Sequence, residues 1–190
     1  MTKKSRVDLS KLTIELLSVE EVHGDTLTDL EELINTVYAV AEAEFWVTGY
    51  KRTNAEALLE AVQNSEVIAA KCKGDIIACV HLTMEGDSVA KFGMLSVPPK
   101  FEGNGIGGKL VKAAERHAFD SGCRKMRLEL LTSKEWEHDG KQQLHEWYTR
   151  LGYVFIKQFL FEEVAPLEVQ HLRTTCFFNV YEKEIAHGGH

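Results

Sequence analysis

The stretch that decides the fold is Glu102-Gly103-Asn104-Gly105-Ile106-Gly107-Gly108-Lys109-Leu110, which carries four glycines in six positions. An apolar run that ends in Met94-Leu95-Ser96-Val97 precedes it, and apolar residues at helical spacing follow it. Glycine lets the backbone come close to a ligand, and the start of a helix offers unpaired N–H groups and a positive dipole end. The stretch therefore predicts an anion-binding loop between a strand and a helix.

Two nucleotide-binding motifs partly match this loop. The spacing Gly103-x-x-x-x-Gly108-Lys109 is that of a P-loop, but Leu110 stands where a hydroxyl should bind magnesium. The spacing Gly103-x-Gly105-x-x-Gly108 also matches a dinucleotide-binding fingerprint, which normally opens a tight turn directly after the first strand of a parallel sheet. Here residues 98–102 intervene and antiparallel strands come before, so the context disfavours this interpretation as well.

Hydrophobic periodicity on either side of the loop predicts one α+β domain with a mixed sheet. Gly74 and Glu85-Gly86-Asp87 separate three strand-like runs and permit tight reversals, so these runs should form an antiparallel meander. The strand, loop helix and following strand imply a parallel crossover. The predicted strands are residues 12–17, 66–73, 75–84, 88–97, 125–131, 153–162 and 173–183. The predicted helices are residues 26–45, a helix capped by Thr53-x-x-Glu56, the loop helix up to Gly122, and residues 141–152.

Length, composition and charge limit the function. The chain has 190 residues, of which 44% are hydrophobic and 27% charged, and we expect a single domain over residues 1–190 with flexible tails at 1–10 and 186–190. The formal net charge of −7 disfavours a nucleic-acid partner, because neutralising phosphates requires clustered Lys and Arg. No apolar run reaches the roughly 20 residues that cross a bilayer, and the first residues lack the apolar segment of a signal peptide. We therefore expect a cytoplasmic protein without a membrane partner.

The cysteine and histidine patterns predict no metal site. The cysteines form no C-x-x-C pair, and His138 and His145 lack the i, i+4 spacing of a helical metal site. All four cysteines should instead be buried free thiols: Cys72, Cys79, Cys123 and Cys176.

Three motifs in order resemble the GNAT superfamily of acyl-CoA N-acyltransferases. The strand ending in Met94-Leu95-Ser96-Val97-Pro98-Pro99, followed by Gly103-x-Gly105-x-Gly107, is similar to the family's acyl-CoA-binding motif. Leu128-Glu129-Leu130 looks like its next strand, and Trp147-Tyr148-Thr149-Arg150-Leu151-Gly152-Tyr153 looks like its later tyrosine signature. The resemblance extends from about Leu12 to Tyr181. It implies a mixed, mostly antiparallel sheet with splayed central strands and helices on both faces.

The resemblance implies acetyl-CoA as cosubstrate, bound mainly by the main chain. A bulge in the strand at residues 93–97 would let Leu95 and Val97 pair with the pantetheine chain, and amides of the loop would hold the pyrophosphate. The implied binding residues are Met94, Leu95, Ser96, Val97, Gly103, Asn104, Gly105, Ile106, Gly107, Gly108 and Lys109. One departure is Glu102, an anion where the family usually has Arg or Gln, although Lys100 and Lys109 can offset its charge.

The resemblance also assigns catalytic roles. Tyr148 matches the family's general acid, since a phenol stays protonated at neutral pH; it can equally be a core aromatic on the stripe of its helix. Glu129 matches a position that serves as general base in some members and is a structural carboxylate in others. His81 is an alternative base, although a histidine inside an apolar strand is more often satisfied in the core.

The acceptor side is less defined by the sequence. In the family the two helices after the first strand commonly wall the substrate cleft, and acidic and aromatic side chains there can hold a cationic amine. Those side chains here are Glu42, Glu44, Trp46, Tyr50 and Arg52, and Glu135 and His138 lie in a later loop that can also line the pocket.

The sequence favours an acetyl-CoA-dependent N-acetyltransferase that acts on the primary amine of a small molecule, such as a polyamine, an aminoglycoside, an amino acid or an arylalkylamine. A non-catalytic acyl-CoA-binding protein and a protein N-acetyltransferase remain as alternatives. A homodimer is also open, because Phe177, Phe178 and Tyr181 of the last strand can form either an interface or core.

Overall fold

The computed structural model of the chain describes residues 9–186 and confirms the predicted fold class, a mixed α+β fold with a mostly antiparallel sheet. Seven strands lie in the order β1-β2-β3-β4-β5-β7-β6. The strands are β1 Leu12–Leu16, β2 Val67–Cys72, β3 Asp75–Glu85, β4 Val89–Ser96, β5 Lys125–Ser133, β6 Val154–Leu160 and β7 Cys176–Glu184. The helices are α1 Gly24–Ala41, α2 Ala55–Gln63, α3 Ile106–Asp120, α4 Asp139–Arg150 and α5 Phe161–Val164.

The two predicted tails fall mostly outside the described residues. Residues 1–8 and 187–190 lie there, whereas Leu9 and Ser10 belong to a short 3-10 helix, Leu9–Lys11, that leads into β1.

The start of α2 differs from the predicted capping box. The N-cap is Asn54, whose side chain accepts a hydrogen bond of 2.9 Å from the Ala57 amide. Thr53 is instead buried, because the side chain of Asn35 in α1 bonds both its amide, at 3.1 Å, and its carbonyl, at 3.0 Å. A tertiary contact from α1 therefore moved the cap by one residue.

Two other boundaries shift for similar reasons. Helix α1 ends at Ala41, short of the predicted residue 45, and Trp46 then forms an isolated antiparallel bridge with Leu172. The predicted strand over residues 153–162 ends at Leu160, because the carboxylate of Glu163 accepts a bond of 3.1 Å from the Leu160 amide and starts the short helix α5.

The described chain divides into two compact units. The first contains residues up to Tyr38, Lys51–Thr83 and Phe92–His117; the second contains Ala39–Tyr50, Met84–Lys91 and the chain from Ala118 onward. The core of the first unit is aliphatic, and Met94 packs against its edge. Its buried residues include Leu17, Leu30, Ile34, Leu58, Val62, Val67 and Ala69.

The second unit has an aromatic core of Phe45, Trp46 and Phe161, packed with Leu131 and Cys176. Within it, β5 pairs antiparallel with β7 over nine residues, from Lys125–Glu184 to Ser133–Cys176. The parallel pairing of β4 with β5 covers only three, from Val89–Lys125 to Lys91–Arg127. This parallel register confirms the predicted crossover, and its early end accords with the splay of the central strands.

The last strand belongs to the core rather than to an open face. Tyr181 is buried and its hydroxyl lies 2.7 Å from His145 Nδ1, while the ring of Phe178 packs against Phe161 at 4.9 Å between centroids. The homodimer remains a prediction.

All four cysteines are buried free thiols, as predicted. Burial raises the pKa of Cys79 to about 12. Burial also raises that of Cys176 to about 11, with Glu42 and Glu135 adding to the effect and Lys141 opposing it. Among residues 9–186 no group of three His, Cys, Asp or Glu side chains could hold a metal ion. None of the helices described is long and apolar enough to cross a bilayer.

Candidate active site

The glycine loop has the backbone that its sequence predicts. A 3-10 turn, Pro99–Phe101, follows β4, and Gly103 and Gly105 then take φ angles of +75° and +76°, which strain any residue with a Cβ atom. Between them the side-chain amide of Asn104 donates to the carbonyls of Phe101, at 3.0 Å, and Glu102, at 3.2 Å. The loop is therefore held by its own side chain as well as by its glycines.

The start of α3 presents an open, positively polarised main chain. Ile106 and Leu110 anchor this turn, because both are essentially fully buried. No atom lies within 4 Å of where a Cβ would stand at Gly103, Gly105 or Gly108. The first amides of a helix have no carbonyl partner inside it, so they are free to bind an anion. This arrangement fits a diphosphate group.

The end of β4 is distorted where the resemblance predicts a bulge. Met94 has a φ of +46°, which is unusual for a non-glycine residue within a strand. Ser96 is fully buried and its hydroxyl donates to the carbonyl of Met94 at 3.1 Å, which fixes the kink. Leu95 and Val97, on either side of Ser96, are partly exposed.

Charges around the loop are mixed. Glu102 and Lys109 are exposed, and the Lys100 ammonium lies 5.0 Å from the centre of the Phe101 ring. Within the described part of the chain, no ion pair joins Glu102 to either lysine. Both lysines can therefore attract an anion, but the exposed carboxylate of Glu102 repels one.

Tyr148 lies on α4 and is 7% exposed. Its ring packs against Trp147 at 4.9 Å and meets Tyr153 edge-on at 6.0 Å between centroids. The helix is capped by His138 at one end and followed at the other by Gly152, which has a φ of +94°. The packing fixes the ring, and a polar tip on a packed ring is compatible with both the catalytic and the core interpretation.

Glu129 lies on β5 and takes part in an ionic network. Its carboxylate is 3.6 Å from the Lys91 ammonium, which also pairs with Glu85 at 3.0 Å. Arg127, two residues earlier on the same face, pairs with Glu182 at 2.6 Å. Glu129 is thus positioned on β5 by its contact with Lys91.

His81, the alternative base, lies in the first unit and its Nε2 is 3.3 Å from a carboxylate oxygen of Glu66. This contact matches the structural interpretation of a histidine inside an apolar strand.

Of the predicted acceptor residues, Glu42, Trp46 and Tyr50 form one group in the second unit, whereas Arg52 belongs to the first unit. Glu42 is buried, accepts a bond of 2.7 Å from Trp46 Nε1, and pairs with Lys141 at 2.5 Å. Tyr50 stacks on Trp46 and donates to Glu168 at 3.0 Å. Arg52 lies over the ring of Tyr38 in the first unit, at 5.0 Å, and Glu44 is exposed. The sequence did not indicate that Lys141 is buried, because its partner Glu42 is 99 residues away in the chain.

A cavity of about 350 Å³ opens in the second unit and contains one of the predicted acceptor residues, Glu135. His138, predicted with it, instead packs against Phe45 and Trp136. Phe161, Glu162, Arg173 and Thr174 also line the cavity and were not predicted from the sequence. The charges of Glu162 and Arg173 did not indicate a site in the sequence, because charged residues in loops are usually only solvated.

Comparison with known proteins identifies a family whose model matches residues of both units. The model of the acetyltransferase (GNAT) family matches residues 28–153, which is more than half of the chain. No curated protein sequence matches.

Solved structures with the same fold include several N-acetyltransferases. The PaiA N-acetyltransferase of Thermoplasma acidophilum, in complex with coenzyme A, is 17% identical with a TM-score of 0.67, over 91% of this chain and 98% of that one. An aminoglycoside 6'-N-acetyltransferase complexed with coenzyme A is 16% identical with a TM-score of 0.66, over 94% and 99%. The Drosophila melanogaster polyamine N-acetyltransferase is 14% identical with a TM-score of 0.66, over 92% and 100%.

At these identities the solved structures establish the fold, whereas the family model covers the motifs themselves, from the glycine loop to Tyr153. The chain belongs to the GNAT family of acetyltransferases.

Proposed function

We propose that the chain transfers an acetyl group from acetyl-CoA to the primary amine of a small molecule, with Tyr148 as general acid. The observation that carries the proposal is the glycine loop at the start of α3, directly after the distorted end of β4. Main-chain groups are exposed there in the order that a pantetheine chain followed by a diphosphate requires. Family membership and the coenzyme A complexes of similar structures support the same cosubstrate.

Each part of the coenzyme has a candidate partner. The main chain of Leu95 and Val97 pairs with the pantetheine amides, since the Met94 kink takes this segment out of regular strand geometry. The amides of residues 103–108 bind the diphosphate through the helix dipole and need no metal. Lys109 adds positive charge and Glu102 reduces the affinity by repulsion.

Acetyl-CoA supplies an activated thioester, and the protein supplies proton transfers. An attacking amine must be neutral, and the departing thiolate must be protonated. The Tyr148 hydroxyl keeps its proton at neutral pH and donates it to the thiolate. Glu129 accepts the ammonium proton of the acceptor, directly or through a water molecule, and its contact with Lys91 holds it in place on β5.

Calorimetric titration with acetyl-CoA, free CoA and ATP in parallel tests the binding step, and thiol release with a panel of amines tests the chemistry. Binding of CoA without ATP, followed by amine-dependent thiol release, is the expected result. ATP binding without CoA binding would contradict the assignment of the loop.

The second candidate function is acyl-CoA binding without catalysis. The observation that favours it is Glu102, which places an exposed carboxylate in a loop proposed to bind a diphosphate. CoA binding with no thiol release from any amine, in wild type and in the Tyr148→Phe variant alike, would support this alternative.

A further inference from the structure

A buried ion pair lies at the start of α4, the helix that carries Tyr148. Lys141 is in the first turn of this helix, Glu42 follows directly after α1, and both residues are buried. The Lys141 ammonium lies 2.5 Å from one carboxylate oxygen of Glu42, and the other oxygen accepts a bond of 2.7 Å from Trp46 Nε1. Both oxygens of the carboxylate are thus engaged, which fixes its orientation.

The first turn of a helix is an unfavourable place for a buried lysine. The start of a helix is the positive end of its dipole, so a cation is disfavoured there. Burial also takes both charges out of water, and apolar residues in place of a buried ion pair are often neutral or stabilising. The best-attested use of such a pair is to fix one element against another. Stability alone therefore does not account for Lys141, whereas a role in placing α4 does.

Further contacts anchor the same end of the helix. His138 caps α4, and its Nδ1 accepts a bond of 3.3 Å from the Lys141 amide. The Lys141 ammonium and the His138 ring lie 5.1 Å and 5.4 Å from the centre of the Phe45 ring, which is fully buried. The start of α4 is therefore attached to the aromatic core of the second unit by its cap, its ion pair and ring packing.

The helix connects this anchor to Tyr148. Tyr148 is seven residues after Lys141, which is almost two turns, so the two side chains share one face about 10 Å apart along the axis. Between them, His145 Nδ1 lies 2.7 Å from the Tyr181 hydroxyl of β7. A regular helix is stiff over two turns, so a displacement of its first turn along the axis also displaces Tyr148.

We propose that the Lys141–Glu42 pair is a positioning device for Tyr148, which fixes α4 along its axis so that the Tyr148 hydroxyl reaches the departing thiolate. This rests on the proposed function for the role of Tyr148, but not for its placement. Neither residue of the pair needs to touch the substrate, because a misplacement of about 1 Å can cost about 100-fold in rate.

The test is the double variant Glu42→Gln/Lys141→Met, which removes both charges and nearly keeps both side-chain volumes. Its kcat for amine-dependent thiol release should fall about tenfold or more, while the KM for acetyl-CoA changes less than about twofold. Glu42→Asp keeps both charges but shortens the carboxylate arm by one methylene, so it should lower kcat as well. Wild-type kcat in either variant, with the fold intact by denaturation, would overturn the proposal.

A Tyr148→Phe background separates positioning from a merely structural role. If the pair acts through Tyr148, adding Glu42→Gln/Lys141→Met to Tyr148→Phe should lower kcat by less than about twofold further. A further loss as large as that in the wild-type background would refute the proposal.

Two control variants should each keep kcat within about twofold of wild type. Lys71→Met makes the same change in an ion-paired lysine of the first unit, and Gln143→Ala changes an exposed residue on α4. A loss of kcat in Gln143→Ala as large as that in the double variant would show that any change in α4 lowers turnover, and would refute a specific role of the pair.

Fluorine NMR of protein labelled with 3-fluorotyrosine separates this proposal from the proposed function, because it needs no turnover. The chain has five tyrosines, and the resonance of Tyr148 is the one missing from Tyr148→Phe. In the double variant that resonance should shift or broaden, while that of Tyr38 in the first unit stays in place. A moved resonance in a protein whose wild type releases no thiol would support the placement and refute the catalysis. An unmoved resonance with wild-type kcat would support the catalysis and refute the placement.

Discussion

The two units use different parts of the polypeptide at their candidate functional residues. In the first unit the loop presents main-chain amides, and the buried Lys71 pairs with Glu15 and Glu21, whose side chains are 47% and 41% exposed. In the second unit the candidate Tyr148 and the ion-paired Lys141 are buried side chains, and Glu42, the partner of Lys141, is only 6% exposed. Removing the ion-paired side chain of the second unit should therefore be costly, whereas removing that of the first unit, whose partners are partly exposed, should cost little.

The largest expected effect is on the buried pair of the second unit. Lys141→Met should destabilise the protein by about 3–5 kcal/mol, because it leaves the carboxylate of Glu42 buried without its cationic partner. Chemical denaturation measures this loss. The double variant Glu42→Gln/Lys141→Met should recover much of it, since no buried charge remains; if the double variant is less stable than either single variant, the pair is not the cause.

Tyr148→Phe tests the side-chain chemistry of the second unit. Losing a general acid should lower kcat by about 100-fold or more, while the dissociation constant for CoA changes little. Tyr153→Phe is the matched control, because it removes a hydroxyl from a neighbouring buried ring on the same unit. Equal kcat values for Tyr148→Phe and wild type would remove Tyr148 from the mechanism.

Gly105→Ala tests the main-chain function of the first unit. A Cβ at a φ of +76° costs about 1–2 kcal/mol, so the loop should relax to another conformation and CoA should bind about tenfold more weakly. Gly86→Ala, at a φ of +71° in the turn between β3 and β4, carries the same backbone cost. This control should lose stability but keep its affinity for CoA, and a parallel loss of affinity would show that the effect is not local to the loop.

The smallest effect belongs to Lys71. Its burial by itself lowers its pKa, but hydrogen bonds to Glu21 and Glu15 outweigh burial and raise it. Since both carboxylates can be hydrated when the lysine is lost, Lys71→Met should cost about 1 kcal/mol or less. A loss as large as that of Lys141→Met would contradict the comparison between the two units.

The pH dependence of this pair has a definite sign. The hydrogen bond from Lys71, with the Ser18 amide, holds the pKa of Glu21 below its usual 4.5. A carboxyl whose pKa is lowered by folding contributes stability above its unfolded pKa and loses it as the pH falls through the folded value. The stability difference between wild type and Lys71→Met, measured by denaturation, should therefore be present at pH 7 and shrink at pH 3.

Local signals account for what was predicted correctly. Glycine spacing gave the loop and the start of α3, and strand-like runs separated by Gly74 and Glu85-Gly86-Asp87 gave β2, β3 and β4 to within a residue or two. The early end of α1 and the helix α5 were missed, because each depends on contacts that only the folded chain makes: the Trp46–Leu172 bridge and the bond of Glu163 to the Leu160 amide. The N-cap at Asn54 was missed for the same reason, since Asn35 holds the neighbouring Thr53.

The sequence by itself determined the order of the elements and the glycine loop at the start of α3, because these depend on periodicity and on glycine positions over a few residues. Tyr148 and Glu129 became candidates through motifs that resemble those of the GNAT family. The tertiary structure alone decided that Glu42 and Lys141 form a buried pair, that Glu129 is held by Lys91, and that Glu135 shares a cavity with residues from α5 to β7. Those contacts join residues distant in the chain, and burial sets their energies. Neither quantity is contained in local sequence.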